Sequence, residues 1–241
     1  MTGSAIPAPV NGRRHGCTLF VDADDTLWEN NVYFEAVVCT YCNLLEARGI
    51  PAADARAALL AIERVRTKTH GYGIDNFRSS LRAACRQFLQ EDCTAELANI
   101  DVCCDGIRTQ PMALLPGVEA TLERLASRHR LIVLTKGDPG DQHDKIARSG
   151  LTGWFSAIDV VKEKDPAAYA GAIERHDVEP GATWMIGNSP RSDVAPALAV
   201  GLGAVFIPHP ATWVLELDPL PEGPHDRLIV IDRFAQLTDY F

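Results

Sequence analysis

The chain runs apolar from Cys17 to Val21 and then stops at three carboxylates, Asp22, Asp24 and Asp25, followed by Thr26. A short apolar run bounded by polar residues reads as a buried strand. The pattern then changes period. Phe34, Val37, Val38, Tyr41 and Leu45 fall on one helix face, and Gly49 and Pro51 end that helix. Residues 53–68 predict a second helix, broken by His70-Gly71-Tyr72-Gly73. Asp75 or Asn76 can cap a third, which carries Phe77, Leu81, Ala84 and Phe88, and Thr94 opens a shorter fourth. No strand-like run interrupts residues 30–110, so this stretch reads as an all-helical insert.

Beyond it the period alternates. Pro116-Gly117 opens a helix with Val118, Leu122 and Leu125 on one face. Apolar runs at 131–134, 158–161, 183–186 and 204–207 predict strands, with helices starting near Asp141, Pro166 and Pro190 between them. Residues 228–231 add a candidate edge strand. Strands alternating with helices require right-handed crossovers and give a parallel sheet covered on both faces. The expected fold class is therefore α/β: a Rossmann-like parallel-sheet core with an inserted all-helical cap domain. The core takes residues 16–29 and 111–241, the cap residues 30–110, and residues 1–15, with their prolines, glycines and an Arg13-Arg14 pair, form a flexible tail. An insert of that size, placed directly after the carboxylates, is expected to act as a lid.

The bulk numbers narrow the class of function. A chain of 241 residues can bury a sizeable core. Its net charge of -9 argues against a nucleic-acid partner, because phosphate backbones are met by clustered Lys and Arg. No segment approaches the roughly 20 consecutive apolar residues of a membrane helix, and the first residues lack the apolar stretch of a signal peptide. The seven cysteines are irregularly spaced; Cys39 and Cys42 lie within a helical pattern, and no second pair completes a zinc site. Reduced thiols in a cytoplasmic protein are the expectation.

Carboxylates at the C-terminal end of a parallel strand point into the crevice where open α/β sheets bind ligands. Three so close repel one another unless a cation sits among them or one is protonated. Three more strand ends carry polar residues: Thr135-Lys136-Gly137-Asp138, Lys162-Glu163-Lys164-Asp165, and Gly187-Asn188-Ser189-Pro190-Arg191-Ser192-Asp193. Each is weak alone. Their order on consecutive strands is the informative feature.

In that order the chain resembles the haloacid dehalogenase-like hydrolase superfamily, whose four motifs are D-x-D-x-T, a Thr or Ser, a Lys, and an acidic pair. The resemblance spans residues 17–207, and the insert is similar to the helical caps of the phosphoglycolate-phosphatase-like and haloacid-dehalogenase-like branch. It implies that Asp22 is a nucleophile forming an aspartyl-phosphate and that Asp24 is the general acid/base, its carbonyl also binding Mg²⁺. It implies that Thr135 binds a phosphoryl oxygen, helped by a backbone N–H of Lys136 or Gly137. Lys164, with Lys162 as runner-up, is implied to hold the nucleophile and phosphoryl group together; Pro166, which starts the next helix, favours Lys164. The metal set implied is Asp22, Asp24, Asn188 and Asp193. Asn188 departs from the family pattern, and an amide oxygen can ligate a hard cation but brings no charge.

The function expected on this basis is Mg²⁺-dependent hydrolysis of a small phosphorylated metabolite. Three alternatives stay open: a 2-haloacid dehalogenase, which Asp24 argues against; a phosphotransferase or mutase of the same fold; and a non-catalytic binding protein. Asp25 is expected to stabilise a turn, Trp28 to pack, and His209 to be structural. The roles of His70, Tyr72 and Arg78, the identity of the substrate, and the choice between monomer and homodimer are not readable from the sequence.

Overall fold

The computed structural model describes residues 13–90, 92–222 and 226–241. The chain divides into two compact units: the part up to Glu29 together with Met112–Phe241, and Asn30–Pro111.

The first unit is built on six parallel strands: β1 (Thr18–Val21), β2 (Arg130–Lys136), β3 (Ala157–Val161), β4 (Thr183–Gly187), β5 (Gly203–Phe206) and β6 (Leu228–Val230). Their order is β3-β2-β1-β4-β5-β6, which is the α/β Rossmann-like arrangement. Strand β1 is central. Val21 pairs in register with Val133 of β2 and Ile186 of β4, so the residues after these positions emerge side by side. The order reverses at β1, and ligands bind outside the strand ends at such a switch point.

Alternation along the strands divides the core into two layers. Leu19, Val21, Leu131, Val133, Trp184, Ile186 and Val205 face one layer, with Val118, Leu122, Phe234 and Leu237. Phe20, Ile132, Leu134 and Met185 face the other, against Tyr169, Ala172 and Ala197. The inserted unit has its own core, in which Val37, Tyr41, Leu45, Leu59, Phe77, Leu81 and Ile100 are buried together.

The helices of the inserted unit are α1 (Asn31–Glu46), α2 (Ala52–His70), α3 (Ile74–Leu89) and α4 (Thr94–Arg108). Two details differ from the sequence expectations. Helix α2 runs on through His70 and breaks at Gly71, whose φ of 74° is left-handed. Helix α3 starts at Ile74, so Asp75 and Asn76 lie inside its first turn; Asn76 instead ties Gly71 O (2.7 Å) to Arg66 Nε (3.0 Å). Helix α4, with 15 residues against 16, 19 and 16, is the shortest of the four, as the sequence suggests. Arg78 pairs with Asp105 (2.5 Å) and His70 Nδ1 lies 2.7 Å from Thr69 Oγ, both within this unit.

In the first unit the helices are α5 (Val118–Ala126), α6 (Pro139–Arg148), α7 (Pro166–His176) and α8 (Ala195–Ala199), the last preceded by a π-turn over Pro190–Val194. Three of these starts share one device. Asp138, Asp165 and Ser189 each accept a backbone N–H of the following turn, and a proline follows each of them. A side-chain cap with proline at the first helical position starts a helix at a fixed residue. Strand, loop and helix are thereby locked at each polar strand end. Of the expected tail, residues 1–12 lie outside the described residues. Arg14 within it is fixed: its N–H donates to Tyr240 O (2.9 Å) and its guanidinium sits 4.4 Å from the Trp184 ring centre.

Candidate active site

Asp22 follows β1 directly. Its N–H continues the ladder to Ile186 O (2.9 Å), which fixes the backbone and aims the side chain past the sheet end. The carboxylate is buried and holds two partners. Oδ1 pairs with Lys164 Nζ, and Oδ2 accepts from Thr26 Oγ (3.1 Å). Lys164 is itself buried and reaches Asp193 Oδ1 (2.7 Å) with the same ammonium, whereas Lys162 is exposed. Asp193 Oδ2 accepts the Ser189 N–H (2.9 Å), so both Asp193 oxygens serve to hold Lys164 and the turn after β4. This close packing requires Gly187, where a Cβ would lie 2.2 Å from Asp193 Oδ2.

Electrostatics follow from this geometry. Two buried carboxylates share one ammonium, which formally leaves one negative charge. Burial pushes the Asp22 carboxyl up to about 7; Lys164 opposes the rise, and Asp193 and Asp24 add to it. Burial would lower the Lys164 ammonium, but Asp193 and Asp22 outweigh it and hold Lys164 charged.

Asn188 brings a second oxygen. Its Oδ1 lies 3.3 Å from the same Thr26 hydroxyl that contacts Asp22, so the two side-chain oxygens converge there. Oxygen ligands of this kind beside an uncompensated negative charge fit a hard divalent cation such as Mg²⁺. Asp22 and Asn188 are the side chains that could hold it.

Asp24 is partly buried and completely engaged. Lys145 Nζ straddles its oxygens (2.7 and 2.5 Å), Gln142 Nε2 donates to Oδ2 (3.0 Å), and Trp28 Nε1 donates to Oδ1 (2.9 Å). Burial would raise this carboxyl, but Lys145, with Gln142 and Trp28, holds it below its ordinary value.

Thr135 is buried at the end of β2, which extends through Lys136, and its hydroxyl makes no hydrogen bond among the described residues. The Lys136 ammonium turns elsewhere, to Glu216 (2.6 Å), Ser192 Oγ (2.9 Å) and Glu163 (3.2 Å). The Gly137 N–H donates to Val161 O (3.1 Å). That contact corrects its expected part as a phosphoryl donor: β2 and β3 stay paired one residue past the strand end, and the N–H is spent on the ladder.

Asp25 has a φ of 58°, uncommon for a non-glycine residue. Its Oδ1 lies 3.8 Å from His209 Nδ1, and His209 Nε2 lies 3.2 Å from Glu29 Oε2. These three side chains form a cluster of their own.

Sequence reasoning missed Gln142, Lys145, Thr212 and Glu216. For the first two a signal existed: they are three apart and so share one face of α6, beside the second polar strand end. Glu216, buried in a 3₁₀ turn, had none; its Oε2 accepts from Ser189 Oγ (2.7 Å) and Ser192 Oγ (2.5 Å).

A parallel sheet whose central strand delivers a buried Asp22, with Lys164, Asp193 and Asn188 converging on it, defines a hydrolase of one class. The chain belongs to the haloacid dehalogenase-like hydrolase family, whose model matches residues 18–201. It is 32% identical over 138 residues to N-acylneuraminate-9-phosphatase of Mus musculus, covering 55% of this chain and 56% of that protein. The chain thus spans about half the length of that relative. Glyceraldehyde 3-phosphate phosphatase of Methanothermobacter thermautotrophicus is 23% identical over 227 residues, which is 92% of this chain and 97% of that one. Among solved structures, a haloacid dehalogenase-like family hydrolase from Xanthomonas campestris superposes with a TM-score of 0.80 at 28% identity, covering 93% of both chains.

Proposed function

We propose that this chain hydrolyses the phosphate monoester of a small metabolite in a Mg²⁺-dependent reaction, with Asp22 as the nucleophile. One observation carries the reading. Asp22 is buried at the sheet switch point between a fixed ammonium, Lys164, and a neutral oxygen ligand, Asn188. The names of the relatives, N-acylneuraminate-9-phosphatase and glyceraldehyde 3-phosphate phosphatase, support it.

Each residue has a defined task. Asp22 attacks phosphorus and carries the phosphoryl group as an acyl phosphate, which splits a difficult hydrolysis into two steps. Lys164 keeps the carboxylate and the incoming anion from repelling each other. Thr135 offers an unspent hydroxyl to a phosphoryl oxygen. When bound, Mg²⁺ supplies positive charge to the phosphoryl oxygens. Once Lys145 has moved off and the carboxyl has taken up a proton from solvent, Asp24 protonates the leaving oxygen, and as the carboxylate it later takes a proton from water. Its four acceptor positions are filled by Lys145, Gln142 and Trp28, so one of those donors must move off before either transfer.

The test is turnover of an aryl phosphate with and without Mg²⁺ by the wild type and Asp22→Asn, with trapping of the phosphorylated aspartate. Asp22→Asn should abolish turnover, and Asp24→Asn should lose most of it while still binding phosphate. If a broad panel of phosphate esters shows no Mg²⁺-dependent turnover, the reading is lost.

A further inference from the structure

Where the family pattern has a carboxylate, this chain has Asn188, and an amide differs from a carboxylate in one respect beyond charge. A carboxylate presents oxygen whichever way it turns. An amide has an oxygen end and an NH₂ end, and only the first can face a cation. Some other group must therefore decide which end faces Asp22.

Thr212 is that group. Asn188 Nδ2 donates to Thr212 Oγ (3.0 Å). The Thr212 hydroxyl donates its single proton to the carbonyl of His209 (2.9 Å), which can only accept. With its proton spent, Thr212 Oγ can only accept from Asn188. A flipped amide would set two lone-pair-bearing oxygens against each other at that contact and lose a buried hydrogen bond. The hydroxyl thereby forces the NH₂ end toward Thr212 and the oxygen end toward Thr26 and Asp22, where Oδ1 is found. All the groups involved are buried: Asn188 is 6% exposed and Thr212 9%.

The relay is anchored at its far end. The Thr212 N–H also donates to His209 O (3.1 Å), closing the turn. The His209 ring accepts the Ala211 N–H at Nδ1 (3.3 Å), and its Nε2 lies 3.2 Å from Glu29 Oε2 without a hydrogen bond. The His209 carbonyl is thus held by both the hydroxyl and the N–H of Thr212.

We propose that Thr212 is a positioning residue for the cation site: through its hydroxyl it fixes the polarity of the Asn188 amide, so that a neutral side chain serves where a carboxylate would need no such help. The inference rests on the Mg²⁺ site proposed above.

A double-mutant comparison tests it, with Mn²⁺ alone as the probe and free Mn²⁺ read by electron paramagnetic resonance on the full chain, so that no turnover is involved. Thr212→Val keeps the shape and removes the hydroxyl; it should weaken Mn²⁺ about tenfold, the lower end for loss of a ligand's hydrogen-bond partner. Thr212→Ser should stay within about twofold of wild type. In an Asn188→Asp background, where either end is oxygen, Thr212→Val should cost less than about twofold. Thr212→Ala serves in its place if valine disturbs the turn. Equal losses in both backgrounds, or a wild-type affinity in Thr212→Val, would overturn the relay and leave the metal site standing. Failure of the wild type to bind Mn²⁺ at all overturns the metal site and the relay with it.

Discussion

Lys164→Met should turn the centre of the site from a paired into an unpaired arrangement. The Lys164 side chain is 2% exposed and is the shared partner of Asp22 and Asp193, whose side chains are 10% and 1% exposed. Removing one member of a buried ion pair costs about 3–5 kcal/mol, a large part of the roughly 5–15 kcal/mol that holds a domain together. The carboxyls can escape only by taking up protons. Burial already pushes Asp22 up to about 7 with Lys164 opposing the rise, so its removal drives the carboxyl higher. A carboxyl whose folded pKa lies above its unfolded value favours the folded state at low pH and loses that advantage as pH climbs to the folded value. The penalty should therefore stay small up to about pH 7, where the wild-type carboxyl ionises, and grow above it toward the variant's higher folded value. Urea unfolding with a chelator present, followed by circular dichroism across that range, measures it. A loss below about 1 kcal/mol at pH 8, or one of the same size at every pH, refutes the assignment of Lys164 as the cation both carboxylates depend on.

Lys145→Met removes the ammonium that straddles both Asp24 oxygens. Asp24 is held below its ordinary value, so its contribution is present above the unfolded pKa and lost as pH falls through the folded one. The variant should lose about 1–3 kcal/mol at neutral pH by urea unfolding, with the deficit closing in acid; a deficit that persists in acid contradicts this. Gly187→Ala sets a Cβ against Asp193, and a thermal melt should report a loss of about 1–3 kcal/mol with Mg²⁺ affinity impaired as well. A melt matching wild type would show that the turn after β4 has room that the 2.2 Å approach denies.

The elements and the motif residues differ in how far the sequence reveals them. Strands β1, β2 and β4 are continuous apolar runs ending in polar clusters, and Asp138-Pro139, Asp165-Pro166 and Ser189-Pro190 mark helix starts by a local rule. Such features are encoded within a few residues of where they act. The partners of the motif residues are not. Gln142 and Lys145 meet Asp24 from 118 and 121 positions away, and Glu216 meets Lys136 from 80. No periodicity in one segment carries that information, because it depends on the sheet order placing β2 beside β1. Lys136 illustrates the result: its backbone N–H is an expected phosphate donor, and nothing near the strand end announces that its side chain is committed to Glu216, which follows β5. His209-Pro210-Ala211-Thr212 likewise reads as a bland turn until Asn188 is found against it.

The distribution of charge gives a reason for Asn188. Each carboxylate after β1 has its own arrangement: Asp24 is neutralised by Lys145, Asp25 faces His209, and Asp22 shares Lys164 with Asp193. Asp22 and Asp193 together carry one negative charge more than Lys164 supplies, and it lies on the pair that contains the proposed nucleophile. A carboxylate at position 188 would add another beside it, in a buried pocket where the described residues supply no further ammonium. Asn188→Asp should thus be less stable than wild type in chelator, by about 1–3 kcal/mol, the cost of an unmatched buried polar or charged group partly relieved by protonation. In Mg²⁺ the order should narrow or reverse, because a ligand bound only by the folded state stabilises it in proportion to RT ln(1 + [L]/Kd), and the added carboxylate lowers Kd. The measurement is the melting temperature of both proteins in chelator and across a Mg²⁺ titration. If Asn188→Asp melts with the wild type in chelator, the amide is not there to limit charge, and its neutrality needs another cause.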